Sequence, residues 1–170
     1  QEAFGGLSGR KIAYLGDGNN VLNSLLLSCS VMGMSVAVAA PEGYQPDEEV
    51  VNHARWLAAA SGTGAEITVT DDPYEAAHGA DAVYTDVHVS MGMTDAATRA
   101  VALAPYKVTP EVMKQAHSSA VFMHCLPMHR DQEVSAVVAD GPQSIIFDQA
   151  ENRMHLQKAI LLHTLAPVVA

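Results

Sequence analysis

Short apolar runs alternate with longer segments of helical period along most of the chain. Residues 11–15 (KIAYL) form a strand-like run that breaks at Gly16-Asp17-Gly18, as a buried strand does on entering a tight turn. Asn20 or Asn19 then caps a helix whose apolar positions Val21, Leu22, Leu25, Leu26, Cys29 and Met32 recur at helical spacing until Gly33. A second strand follows at 35–39, a helix from Asp47 to about 60, and a third strand at 66–70. The pattern continues with a short helix over 74–78, a strand at 82–85, and a polar, methionine-bearing loop from Asp86 to about Thr94. Thr109-Pro110-Glu111 opens another helix by cap and first-turn proline logic, although no element is assigned between 94 and Thr109. A strand at 120–123, a loop at 124–130, a helix over about 131–138, a last strand near 144–147 and a long helix from Glu151 to about 165 complete the prediction. Strands alternating with helices in this way require a mostly parallel sheet covered on both faces: an α/β fold, a Rossmann-like open parallel sheet in three layers.

Composition narrows the function. The chain has 170 residues, enough for one real core, and no apolar run approaching the roughly 20 residues of a membrane span. A soluble, cytoplasmic protein of one domain is expected. The formal net charge of -10 argues against nucleic-acid and anionic-membrane partners, which need a basic footprint. Cys29 and Cys125 are too few for a disulfide framework, so free thiols are expected. None of the eight histidines has zinc-site spacing, and His53, His78, His117, His155 and His163 fit surface or helix-packing positions.

Ligands of open parallel sheets bind outside the carboxyl ends of the strands. That rule selects the loops starting at Asp17, Asp86 and His124. The first lacks the third glycine of a dinucleotide fingerprint and places an acid where pyrophosphate would approach, so nicotinamide binding is not expected. Asn19 and Asn20 offer amides at a helix start, suited to a carboxylate or simply to capping. Asp86 is able to pair with an ammonium group or to form a turn. Met91 is an apolar residue in an otherwise polar loop, beside Ser90 and Gly92. Cys125 follows an apolar strand next to His124, but adjacent residues on an extended chain point apart, which weakens a protease-like dyad. Glu151 looks like ordinary dipole compensation at a helix start, whereas the Arg153 fork suits a phosphate or a carbonyl oxygen.

Together, Gly16-Asp17-Gly18-Asn19-Asn20, Asp86-x-x-x-Ser90-Met91-Gly92, His124-Cys125-Leu126-Pro127-x-His129-Arg130 and Glu151-Asn152-Arg153 resemble, in order and spacing, the second domain of ornithine carbamoyltransferases. The resemblance covers almost the whole chain. It implies transfer of a carbamoyl group from carbamoyl phosphate to the δ-amino group of ornithine, giving citrulline and phosphate, without metal or organic cofactor. It implies that Asn20 binds the ornithine carboxylate, that Asp86 receives the α-amino group, and that Ser90 and Met91 belong to a loop closing over ornithine. Cys125 would lie beside the δ-amino group to assist its deprotonation or alignment, with the Cys125-Leu126 backbone and Arg153 facing the carbamoyl group. Asp86, Cys125 and Arg153 are then the catalytic candidates, with Asn19, His124 and Pro127 as secondary ones.

Two positions depart from the family pattern: His88 stands where tryptophan is usual and Met93 where glutamine is usual, so different loop closure is expected. The family's phosphate-binding first domain, with its Ser-x-Arg-Thr helix start, is missing. Residues 1–170 are therefore expected to be a single ornithine-binding domain, cut from or partnered with something longer and nearly inactive alone. The resemblance also implies full-length homotrimers held mainly through the missing domains. The alternatives are a paralogue acting on putrescine or an N-acylated ornithine, and a non-catalytic Rossmann-like binding module.

Overall fold

A computed structural model describes residues 2–89 and 94–165. Five strands, β1 (Lys11–Leu15), β2 (Ser35–Ala39), β3 (Ile67–Thr70), β4 (Ala82–Thr85) and β5 (Val121–His124), form one parallel sheet in the order β3-β2-β1-β4-β5. Successive side chains of each strand point to opposite faces. Ile12, Tyr14, Val36 and Val38 enter a core with Leu22, Leu26 and Val51, while Ala13, Leu15, Ala37 and Ala39 enter a second core with Ala76, Val112, Phe122 and Val138. Burial on both faces explains why the strands read as continuous apolar runs.

Seven α-helices join the described strands: α1 (Asn20–Met32), α2 (Glu48–Ser61), α3 (Pro73–Ala77), α4 (Ala96–Leu103), α5 (Pro110–Met113), α6 (Ala136–Ala139) and α7 (Ile146–Leu165). Capping sets their limits. Asn19 accepts hydrogen bonds from the amides of Val21 and Leu22, and Gly33 ends α1 in the left-handed conformation at φ 76°. Asp47, Asp72 and Thr109 cap α2, α3 and α5 in the same manner.

The structure corrects the predicted order in the C-terminal third. There is no strand at 144–147: Ser144 makes one isolated bridge to Phe122, and α7 already begins at Ile146. Four consecutive residues, Ser-Ile-Ile-Phe, carry too little periodicity to separate strand from helix. Phe147, which a core strand would bury, is 73% exposed. Glu151 therefore lies inside the helix, and the first-turn acid is Asp148. The helix expected over 131–138 is reduced to α6, because Asp131 takes a positive φ of 68° and its amide donates to Val134 O across a tight loop. α4, unassigned in sequence, buries only Leu103 and so lacks a periodic apolar face.

The strand order places a topological switch between β1 and β4, since β2 and β3 are laid down on one side of β1 and β4 and β5 on the other. Register aligns the strand ends: Leu15 pairs with Thr85, and Thr85 with His124. The residues that follow, Gly16, Asp86 and Cys125, consequently leave the sheet side by side.

Candidate active site at the switch point

Asp86 is the centre of this rim. Its Oδ2 accepts from Asn19 Nδ2 at 2.8 Å, and its Oδ1 accepts from the Val87 amide at 2.7 Å and from the Cys125 thiol at 2.9 Å. Asn19 thus caps α1 with its oxygen and holds Asp86 with its nitrogen, tying the loop after β1 to the loop after β4. Tyr14 and Tyr84 stack beneath the cluster at 5.8 Å, and Tyr14 Oη donates to Asn19 Oδ1 at 3.3 Å.

Cys125 is half-buried and its sulfur is a hydrogen-bond donor. Burial above all, together with the hydrogen bond to Asp86 and that group's negative charge, pushes the thiol up to about 12, with the adjacent Tyr84 hydroxyl acting in the opposite direction. At neutral pH the group is a thiol, suited to alignment rather than to accepting a proton.

The next residues are held from behind. His124 is fully buried, and its Nδ1 accepts from the Leu126 amide at 2.9 Å, so the ring proton is on Nε2, which lies 3.5 Å from Glu133 Oε1. Burial alone would raise the Glu133 carboxyl, but the neighbouring His124 imidazole and the hydrogen bond from the His129 amide outweigh it and leave it below its ordinary value. Leu126 takes a positive φ of 58° and leads into a cis bond to Pro127. The nearest donor atoms of Asp86, His124 and Cys125 fall within 4.8 Å of one another, the one group among the described residues with a spacing that could hold a metal ion. All three residues are already engaged, the carboxylate with the thiol and the imidazole with the Leu126 amide.

Arg153 sits two turns into α7 rather than at its start, where it lines an open cleft of about 880 Å³ together with Cys125, Gln149 and Leu156. Asn20 is the first residue of α1 and is exposed, apart from the Asn19-Asp86 pair. Ser90 and Met91 lie outside the described residues, as does Met93. His88, by contrast, is buried against Gly16: a Cβ on Gly16 would stand 3.5 Å from its ring.

Three contributors are absent from the sequence-derived site. Gln149 fell in the segment misread as strand and loop. Tyr84 lay unremarked within the strand predicted at 82–85. Arg99, in the unassigned helix, pairs with Asp17, stacks over Tyr44 at 4.9 Å and donates to His88 O at 3.1 Å. No local spacing announces any of them.

Residues 8–164 match the family model described as aspartate/ornithine carbamoyltransferase, Asp/Orn binding domain. The chain belongs to that family. It is 52% identical over 166 residues to an ornithine carbamoyltransferase of Methanobrevibacter smithii, covering 97% of this chain and 54% of the relative. Among solved structures it resembles the ornithine carbamoyltransferase of Pyrococcus furiosus, with a TM-score of 0.89, 45% identity, and coverage of 95% of this chain and 51% of that one. An N-acetyl-L-ornithine transcarbamylase K302E mutant complexed with PALAO is also similar, with a TM-score of 0.78, 32% identity, and coverage of 95% of this chain and 52% of that one. The chain spans about half the length of the curated relatives it matches. As a carbamoyltransferase-family chain it has the expected α/β fold, and no helix among the described residues is long and apolar enough to cross a membrane.

Proposed function

We propose that this chain supplies the ornithine side of an ornithine carbamoyltransferase, transferring a carbamoyl group from carbamoyl phosphate to the δ-amino group to give citrulline and phosphate. The observation that carries this reading is Asp86, a carboxylate at the topological switch held by Asn19 and Cys125. Such a carboxylate suits the α-ammonium of an amino acid. Asn20, exposed at the positive end of α1, would meet the α-carboxylate. The δ-amino group then reaches Cys125, whose thiol aligns it. Ser90 and Met91 would cover the ligand.

Chemistry at such a centre needs a donor for the oxyanion that forms when the amine attacks. Arg153, in the same cleft as Cys125, is the candidate. Two amides of the turn are committed elsewhere, that of His124 to Gln149 and that of Leu126 to the His124 ring.

Carbamoyl phosphate requires a second, phosphate-binding half, and the surface of α7 fits such a partner. Residues 151–165 are exposed throughout, with Leu156, Ile160, Leu161, Leu162 and Leu165 uncovered. A helix with this much free apolar surface gains its stability from something that covers it. Assembly into trimers would follow from that half.

Calorimetric titration tests the acceptor. Ornithine and norvaline are expected to bind while putrescine, which lacks both α groups, does not. N-acetylornithine, with no α-ammonium for Asp86, is expected to bind more weakly than ornithine. Tight putrescine binding without ornithine binding would refute the assignment.

A further inference from the structure

The bond from Asn19 Nδ2 to Asp86 joins two stretches of chain that leave different strands, and a residue from a third element is clamped over both. Arg99, on α4, pairs through Nη2 with Asp17 in the loop after β1, and its Nε donates at 3.1 Å to His88 O in the segment after β4. Its guanidinium also lies over the ring of Tyr44, in the loop after β2, at 4.9 Å. The Arg99 and Asp17 side chains are only 11% and 16% exposed, so solvent screens the pair little. Asp17 and Tyr44 feed directly into the turn that places Asn19. The Asn19 amide donates to Asp17 O at 2.8 Å, and the Gly18 amide donates to Tyr44 O at 2.7 Å. There is no slack between these loops, since a Cβ on Gly18 would stand 2.4 Å from Pro46 N.

We propose that Arg99 is a positioning residue for the amino-acid site, locking the loop after β1 to the segment after β4 so that Asn19 holds Asp86 in place before a ligand arrives. The proposal rests on reading Asp86 as the acceptor of the α-ammonium. None of these Arg99 contacts is with Asp86, so Arg99 acts through the Asn19 turn and not on the ligand. A guanidinium suits the task because its planar fork donates in two directions while its face covers an aromatic ring. A lysine ammonium, a point charge on a flexible stem, would keep the pairing with Asp17 at most.

Two measurements on the intact chain test this. Hydrogen exchange followed by NMR reads the side-chain amide of Asn19 against the backbone amides of Val36 and Val38 in the sheet core, and calorimetry reads ornithine affinity. Arg99→Gln is expected to speed exchange at Asn19 about tenfold more than at Val36 and Val38, and to weaken ornithine binding about tenfold, the scale of one charge-assisted hydrogen bond. Arg99→Lys is expected to move both readings the same way by less, and it decides the matter if the glutamine variant does not fold. Asp17→Asn added to Arg99→Gln should contribute less than about half of its own effect on a logarithmic scale, because both changes cut one link. The proposal is overturned if Asn19 exchange stays unchanged in the Arg99 variants, or if the two substitutions add in full. Equal acceleration at Asn19, Val36 and Val38 would also overturn it, because Arg99 would then only hold the fold. So would ornithine affinity that is unaltered while Asn19 exchange rises. A natural chain that binds no ornithine would sink the proposed function, and the exchange comparison would still decide whether Arg99 sets the Asn19-Asp86 bond.

Discussion

Asp86→Ala is expected to weaken ornithine binding by about a hundredfold, measured by calorimetry. The carboxylate is held by three donors, the Asn19 amide, the Val87 amide and the Cys125 thiol, which fix it at the strand ends before any ligand arrives. A preorganised, half-buried partner for an ammonium group is worth about 3 kcal/mol, which converts to that factor. Truncation also leaves the Asn19 and Cys125 donors without their acceptor. Asp86→Asn keeps the shape and one acceptor but loses the charge, and an intermediate loss is expected from it. Ornithine affinity unchanged in both variants would remove Asp86 from the site.

Stability should fall as the pH drops from about 6.5 towards 4, and much of that fall should depend on His88. Burial, the largest influence, drives the His88 pKa down to about 4 from its ordinary 6.5; Glu133 pulls upward, while Arg99 and His124 add to the lowering. The sign follows from linkage. Within that window the unfolded chain takes up a proton that the folded chain refuses, so stability present above pH 6.5 is progressively lost down to the folded value. The shift corresponds to about 3 kcal/mol. Carboxyls held below their ordinary values, such as Asp81 and Glu133, lose their contribution at more acid pH, while Asp17, raised by burial, opposes the His88 slope at the acid end. Urea midpoints followed against pH are expected to slope for the natural chain and to flatten over this interval for His88→Phe. An equal slope in both would show that His88 takes its proton while folded.

Position 88 is thus filled by a buried, neutral imidazole whose Nε2 has no hydrogen-bond partner among the described residues. The residue packs beneath the loop after β1 and its carbonyl accepts from Arg99, so His88 sits as core rather than as a ligand.

What could be read from the sequence was what is local. β1, β2 and β4 were legible because they are buried on both faces and bounded by glycine, proline or aspartate, and Gly33 and Asp47 marked helix ends by their conformational and capping preferences. The rim positions of Asp86 and Cys125 followed from strand ends alone. Which asparagine caps α1 was not decided by sequence, since either is a good cap; in the fold Asn19 takes that role and gains a bond to a residue 67 positions away. The Gln149-Tyr84 bond spans 65 positions and leaves no local mark. Nor does the burial of Glu133, which sits within a polar segment and is turned inward by the loop from Arg130 to Val134.

The most direct test of the account is citrulline formation from carbamoyl phosphate and ornithine by this chain alone and by the chain joined to the phosphate-binding half of a family member. The expected result is near-zero turnover alone and robust turnover when joined, lost again on Cys125→Ala or Asp86→Ala. Robust turnover by the isolated chain, or joined activity indifferent to both substitutions, would contradict it.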